Sequence, residues 1–156
     1  MQNDDILLNL KNEMNALLEV EALIFDILKN NKNDFLPIKQ VIKKIPIKNR
    51  KLININLSMN DNEMAEEISR CLGQKLILYE SQKGIYITLN VPFWHTIVNV
   101  LKQKPDISIN MLKKTLPLTN NDFIDALNTA IEKGCITFRI TNKMTVSLFP
   151  TKKKPE

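Results

Sequence analysis

The chain repeats itself, and that constrains its fold more than any other feature. Asn60–Leu89 laid over Thr119–Leu148 at a constant offset of 59 residues, without a gap, keeps the apolar pattern while losing most identities. Met64 meets Phe123, Ile68 meets Leu127 and Leu72 meets Ile131. Further on, Ile77 meets Ile136, Tyr79 meets Phe138, Ile87 meets Val146 and Leu89 meets Leu148. The first three pairs follow a helical period and the rest a strand period. Upstream, Leu36–Pro46 matches Ile107–Pro117 at an offset of 71, so the first copy carries a 12-residue insertion between Pro46 and Asn60. A chain of 156 residues built this way reads as two very small units.

Each copy reads as three helices and a hairpin. In the second, Phe93, Trp94, Ile97, Val98 and Leu101 recur at helical spacing, with Pro92 in the first turn and Pro105 past the end. Ser108 caps a short helix over Ile109–Thr115, which Pro117 stops. Thr119 and Asp122 stand at capping-box spacing ahead of a third helix. That helix carries Phe123, Ile124, Leu127 and Ile131 on one face, with Gly134 as its C′ residue. Cys135–Ile140 and Met144–Phe149 form a hairpin around Thr141-Asn142-Lys143.

The first copy follows the same order, with helices over about 16–30, 37–45 and 61–72 and a capping box at Asn60 and Glu63. Its hairpin pairs Leu76–Tyr79 with Ile85–Leu89 through residues 80–84. The inserted Lys51–Ser58 alternates Ile53, Ile55 and Leu57 against Asn54 and Asn56, a strand pattern. The expected class is mainly α with small β-hairpins (α+β). Residues 1–15 are a helical extension, 16–90 the first unit, 91–150 the second and 151–156 a basic tail.

Three helices followed by a two-stranded hairpin, twice over, resembles the winged-helix variant of the helix-turn-helix. The resemblance covers roughly residues 16–150 and rests on element order and spacing. Tandem winged helices occur in plasmid replication initiators, in the bacterial segregation-and-condensation protein B and in ESCRT-II subunits. The chain resembles all three in architecture, and its length is nearest the latter two. In DNA-binding members the third helix lies in the major groove and offers polar and basic groups to the bases. Here the third helices offer Asp61, Glu63, Glu66 and Glu67 against Arg70, and Asp122, Asp125 and Glu132 against Lys133. Phosphates repel such helices. Neither reads as an orthodox recognition helix.

The chain's net charge is +5, but 19 of its 22 cations are Lys, and it holds 20 Ile and 19 Asn. AT-rich codons specify these residues, which discounts bulk basicity as a sign of nucleic-acid binding. Distribution is more informative. Residues 31–51 carry a net +6, residues 1–30 a net −4, residues 52–90 a net −2 and residues 91–150 a net +3. Lys39, Lys43, Lys44, Lys48, Arg50 and Lys51 are candidate contacts to a nucleic-acid backbone. Lys113 and Lys114 are taken as the second copy's counterparts of Lys43 and Lys44. Three readings stand: phosphate contacts that ignore base sequence, an acidic protein partner, or a solvated face.

From Asp4 to Asn30 there is no Gly or Pro. Leu7, Leu10, Met14, Leu17, Ile24 and Leu28 fit a/d heptad positions, interrupted by Glu21. Residues 4–15 extend past the module, and Ile6, Leu7, Leu8 and Leu10 are candidate partner-binding residues, covered by another chain or by the second unit.

No reactive constellation is visible, so no catalytic, cofactor or metal residue is expected. His95 is the only His, and a catalytic His needs partners that the pattern does not supply. Cys71 and Cys135 have no CxxC companions, and all three Gly fall at helix ends or a turn. No apolar run is long enough to span a membrane. The acidic start lacks a signal peptide's basic region, and two Cys make no disulfide framework. The expectation is an intracellular protein, cytoplasmic or nuclear/nucleoid-associated. The reading is a non-enzymatic adaptor in DNA-associated machinery, binding a partner protein and DNA backbone. The alternatives are a sequence-specific transcriptional regulator and a pure interaction scaffold of ESCRT-II type.

Overall fold

The computed structural model describes residues 2–31, 34–140 and 146–153. They form two compact units, Met1–Asn90 and Val91–Glu156. The class is α+β: among the described residues there are seven α-helices and two three-stranded antiparallel sheets.

The first unit runs α1 (Gln2–Asn30), β1 (Phe35–Pro37), α2 (Ile38–Lys44), α3 (Ile47–Leu52), α4 (Asp61–Ile68), β2 (Leu76–Ser81) and β3 (Gly84–Leu89). A 3₁₀ turn, Ser69–Cys71, follows α4. The strand order is β1-β3-β2, with Leu36 opposite Ile87 and Leu78 opposite that same residue on the other side. The core forms where Val20, Ile24 and Leu28 of α1 meet Ile38, Val41 and Ile42 of α2, Met64 and Ile68 of α4, and Leu76 and Ile87 of the sheet. Polar contacts also fasten α1 to the rest. Asn49 of α3 donates to Glu19 at 3.4 Å, and the Gly73 backbone N–H donates to the Glu21 carboxylate. Glu21, the polar break in the heptad pattern, thus satisfies a backbone donor beyond the 3₁₀ turn.

The second unit runs α5 (Phe93–Gln103), β4 (Ile107–Ser108), α6 (Ile109–Thr115), α7 (Asn120–Glu132), β5 (Ile136–Ile140) and β6 (Val146–Pro150), with strand order β4-β6-β5. Ile97, Val98 and Leu101 of α5 are buried, as are Leu112, Phe123, Leu127, Ala130, Ile136 and Leu148.

The caps sit where residue chemistry puts them. Asn60 accepts the Glu63 N–H at 2.8 Å while Glu63 accepts the Asn60 N–H at 3.2 Å, a complete capping box. Ser108 and Thr119 cap α6 and α7. Gly134, at φ +75°, is the C′ residue of α7: its N–H bonds Ile131 O and that of Cys135 bonds Ala130 O, a Schellman motif.

Four expectations are corrected. Each hairpin is joined by a third strand, β1 or β4, too short to leave an alternating pattern. The inserted segment forms no strand: Ile47–Leu52 is helical and residues 53–59 are turn and coil. Asn54, at φ +59°, is C′ of α3; its N–H bonds Lys51 O and that of Ile55 bonds Arg50 O. A second Schellman motif therefore buries Ile53 and Ile55 on either side of an exposed Asn, which mimics strand alternation, while Leu57 is exposed. Ile124 is exposed, because α7 turns Phe123, Ala126, Leu127 and Ala130 inward and leaves its neighbour beside that face.

The fourth correction concerns register. The offset of 59 places Met64 with Phe123 and Ile68 with Leu127, all buried, but it slips in the sheets. Leu36 and Leu78 flank Ile87; Ile107 and Phe138 flank Leu148. Leu148 therefore occupies the place of Ile87, two residues beyond the ungapped alignment, and Ile136 that of Leu76, one beyond. One residue of the slip arises between the helix and the first hairpin strand, and the second in the hairpin connection. The first hairpin joins its strands through Gln82 and Lys83 alone, three residues tighter than expected, while residues 141–145 separate β5 from β6. The expected turn at 141–143 lies outside the described residues.

Candidate functional site

The Lys-rich segment folds into two short helices whose apolar residues decide where the cations point. Ile38, Val41 and Ile42 anchor α2, so Lys39, Lys43 and Lys44 face water. Asn49 is the buried residue of α3, so Lys48 and Lys51 are exposed and Arg50 is half-buried. Lys39 and Lys43 are one turn apart, as are Lys48 and Lys51. No Asp or Glu occurs between residues 35 and 60. The one ion pair from this segment among the described residues joins Lys39 to Asp61 at the start of α4, at 3.9 Å between half-exposed groups. Such a pair is worth little. The Arg50 Nε is shielded from water and has no hydrogen-bond partner. Part of the charge has a local role, since Lys43, Lys44, Arg50 and Lys51 lie in last turns, where cations meet the negative helix end.

In the second unit, Lys113 and Lys114 are exposed in the last turn of α6. Helices α2 and α6 superpose in sequence at an offset of 71, so Lys114 stands in the place of Lys43 but Lys113 in that of the buried Ile42. The pairing of Lys113–Lys114 with Lys43–Lys44 is therefore corrected by one position.

The acidity of the third helices is partly structural. Glu63 belongs to the capping box, and Glu67 pairs with Arg70. Glu66, Asp125 and Glu132 remain exposed.

Helix α1 presents the other surface. Among its described side chains, the first buried one is Val20. Before it, Ile6, Leu7, Leu8, Leu10, Met14 and Leu18 are all between 51% and 63% exposed. At 100° per residue, Ile6, Leu7, Leu10, Met14, Leu17 and Leu18 fall within an arc of about 120°, whereas Leu8 lies on the opposite side.

Where this stripe meets the body of the first unit there is a groove of about 150 Å³, lined by Glu13, Leu17, Leu52, Ile53, Asn54, Glu67, Arg70 and Cys71. Its lining mixes the charged Glu13, Glu67 and Arg70 with the apolar Leu17, Leu52 and Ile53. Sequence reasoning missed it, because α1, α3, α4 and the 3₁₀ turn supply its walls and no local pattern joins them. Burial pushes the Cys71 thiol up from its usual pKa; the Arg70 guanidinium pulls against this and the Glu21 carboxylate adds to it.

His95 stacks edge-on against Trp94 at 4.1 Å, and its Nε2 has no hydrogen-bond partner. Among the described residues, no three His, Cys, Asp or Glu gather in a metal-holding group. No helix among them is long and apolar enough to cross a membrane. Comparison with known proteins found no match, either to a protein-family model or to a curated protein.

Proposed function

We propose that each unit is a winged helix and that the chain is a non-enzymatic adaptor of DNA-associated machinery, holding DNA by its backbone and a protein partner by α1. The element order supports the fold: helix, strand, helix, third helix, then two strands, with the first strand pairing the last. Helix α3 is the insertion in the first unit.

One observation carries the DNA reading. Six cations, Lys39, Lys43, Lys44, Lys48, Arg50 and Lys51, occupy 13 consecutive residues free of carboxylates, and five of them are exposed. A phosphate backbone suits such a surface, because its contacts need charge and reach rather than a matched pattern of donors. The acidic third helices favour backbone binding over base reading.

The test is a gel shift over several salt concentrations on one chosen duplex and on random duplexes. Replacing Lys39, Lys43, Lys44 and Lys48 by Ala should weaken binding equally on all duplexes. It should flatten the plot of log K against log salt by about 0.9 for each phosphate no longer neutralised. A strong preference for one sequence would decide for a transcriptional regulator. A second reading, a scaffold without nucleic acid, is favoured by the exposed stripe on α1; no shift at low salt would decide for it.

A further inference from the structure

The exposed stripe on α1 and the groove at its root fit one another across two copies of the chain. We propose that α1 pairs antiparallel with α1 of a second copy, the first two turns of each seated against the groove of the other. This rests on reading α1 as the protein-binding surface and names the partner.

The orientation follows from where α1 is already occupied. From Leu17 onward, the face that carries the stripe packs on its own unit through Leu17, Val20, Ile24 and Leu28. A parallel partner would run into that unit along its second half. An antiparallel partner meets it only with its first two turns, the second of which, at Leu7, comes level with Leu17, where the groove lies. In that arrangement Leu7 lies level with the partner helix's Leu17 and Leu10 with its Met14. Two-fold symmetry repeats each layer and closes the interface at two copies.

Charge is complementary in part. The first turn carries Asp4 and Asp5. The groove's Arg70 is already paired with Glu67 and Glu13 lines the groove beside them, so the cations left for that turn are Arg50 and Lys51 in the last turn of α3, next to the groove-lining Leu52.

The area suffices. Ile6, Leu7, Leu10, Met14, Leu18 and Leu52 are each at least half exposed. At about 100 Å² per side chain they offer roughly 600 Å² per copy. The pair would bury roughly 1,200 Å², inside the range of specific interfaces.

Sedimentation velocity on the full chain should give twice the single-chain mass of 18.0 kDa. Leu7→Glu with Leu10→Glu should return it to the single-chain mass. A single-chain mass for the wild type at about 100 μM overturns the proposal. Orientation is read from an oxidised equimolar mixture of Leu10→Cys and Met14→Cys chains, in which the native Cys71 and Cys135 are buried. A predominant mixed disulfide supports antiparallel pairing, and a predominant Leu10→Cys self-disulfide overturns it. The DNA reading is scored separately. A monomer that shifts duplexes with the expected salt slope sinks self-pairing alone, and a dimer that shifts none sinks the DNA reading alone.

Discussion

Single residues at helix ends set the connections of both units. Asn54 and Gly134 do the same work in different units, each taking a left-handed conformation that lets the chain reverse and bury the next residue, Ile55 or Cys135. Asn tolerates this conformation and a β-branched residue does not. Asn54→Val should therefore lower stability by about 1–2 kcal/mol, and Asn54→Gly should leave it equal or higher, by thermal or urea denaturation. Cys71 makes a pH prediction. Its folded pKa is raised, so the folded chain holds the thiol proton more tightly than the unfolded one. The stability this contributes is complete below the unfolded thiol pKa, about 8.5, and is lost as pH rises through the folded value. The wild-type melting temperature should fall more steeply above about pH 8.5 than that of Cys71→Ala.

Among the elements, helices obeyed their sequence periods closely and strands less so. Pro37, Asn60, Ser108 and Thr119 mark the starts of α2, α4, α6 and α7 within a residue of the expected sites. Those signals are local: a cap needs only its own side chain and an amide three residues on. Strand register depends on how many residues the turn consumes, and a slip of one turns every side chain to the other face. The second sheet shows the consequence. Leu148 is 1% exposed at its centre, whereas Ile140 on the edge strand β5 is 68% exposed. Leu148→Ala should cost about 2–5 kcal/mol and Ile140→Ala less than about 0.5 kcal/mol, measured by denaturant unfolding.

At the scale of the molecule, the net charge of +5 is divided unequally. Residues 1–90 hold twelve Lys and Arg against twelve Asp and Glu, and residues 91–156 hold ten against five. The first unit is neutral but segregated, acidic along α1 and basic over α2 and α3. The second carries the whole excess. On the proposed DNA reading, long-range attraction to the polyanion belongs to the second unit, and dense local contact to the first. Replacing Lys113 and Lys114 by Ala should flatten the salt plot about half as much as removing the four lysines of the first unit. An equal slope for wild type and the Lys113, Lys114 variant would exclude both from the DNA contact.

What the sequence determined by itself was whatever neighbours in the chain decide: the repeat, the helix starts, the Schellman glycine at 134 and the clustering of Lys39 to Lys51. Each signal lies within a few residues, where side-chain chemistry and backbone preference act directly. The tertiary structure alone decided the third strands, the true register of Leu148, the turn hidden in Ile53–Leu57 and the groove beside Cys71. These depend on which distant segments meet: β1 is a strand because β3 lies beside it, and Leu17, Ile53 and Arg70 share a groove because α1, α3 and α4 converge. Burial and pairing of that kind carry long-range information that no local pattern holds.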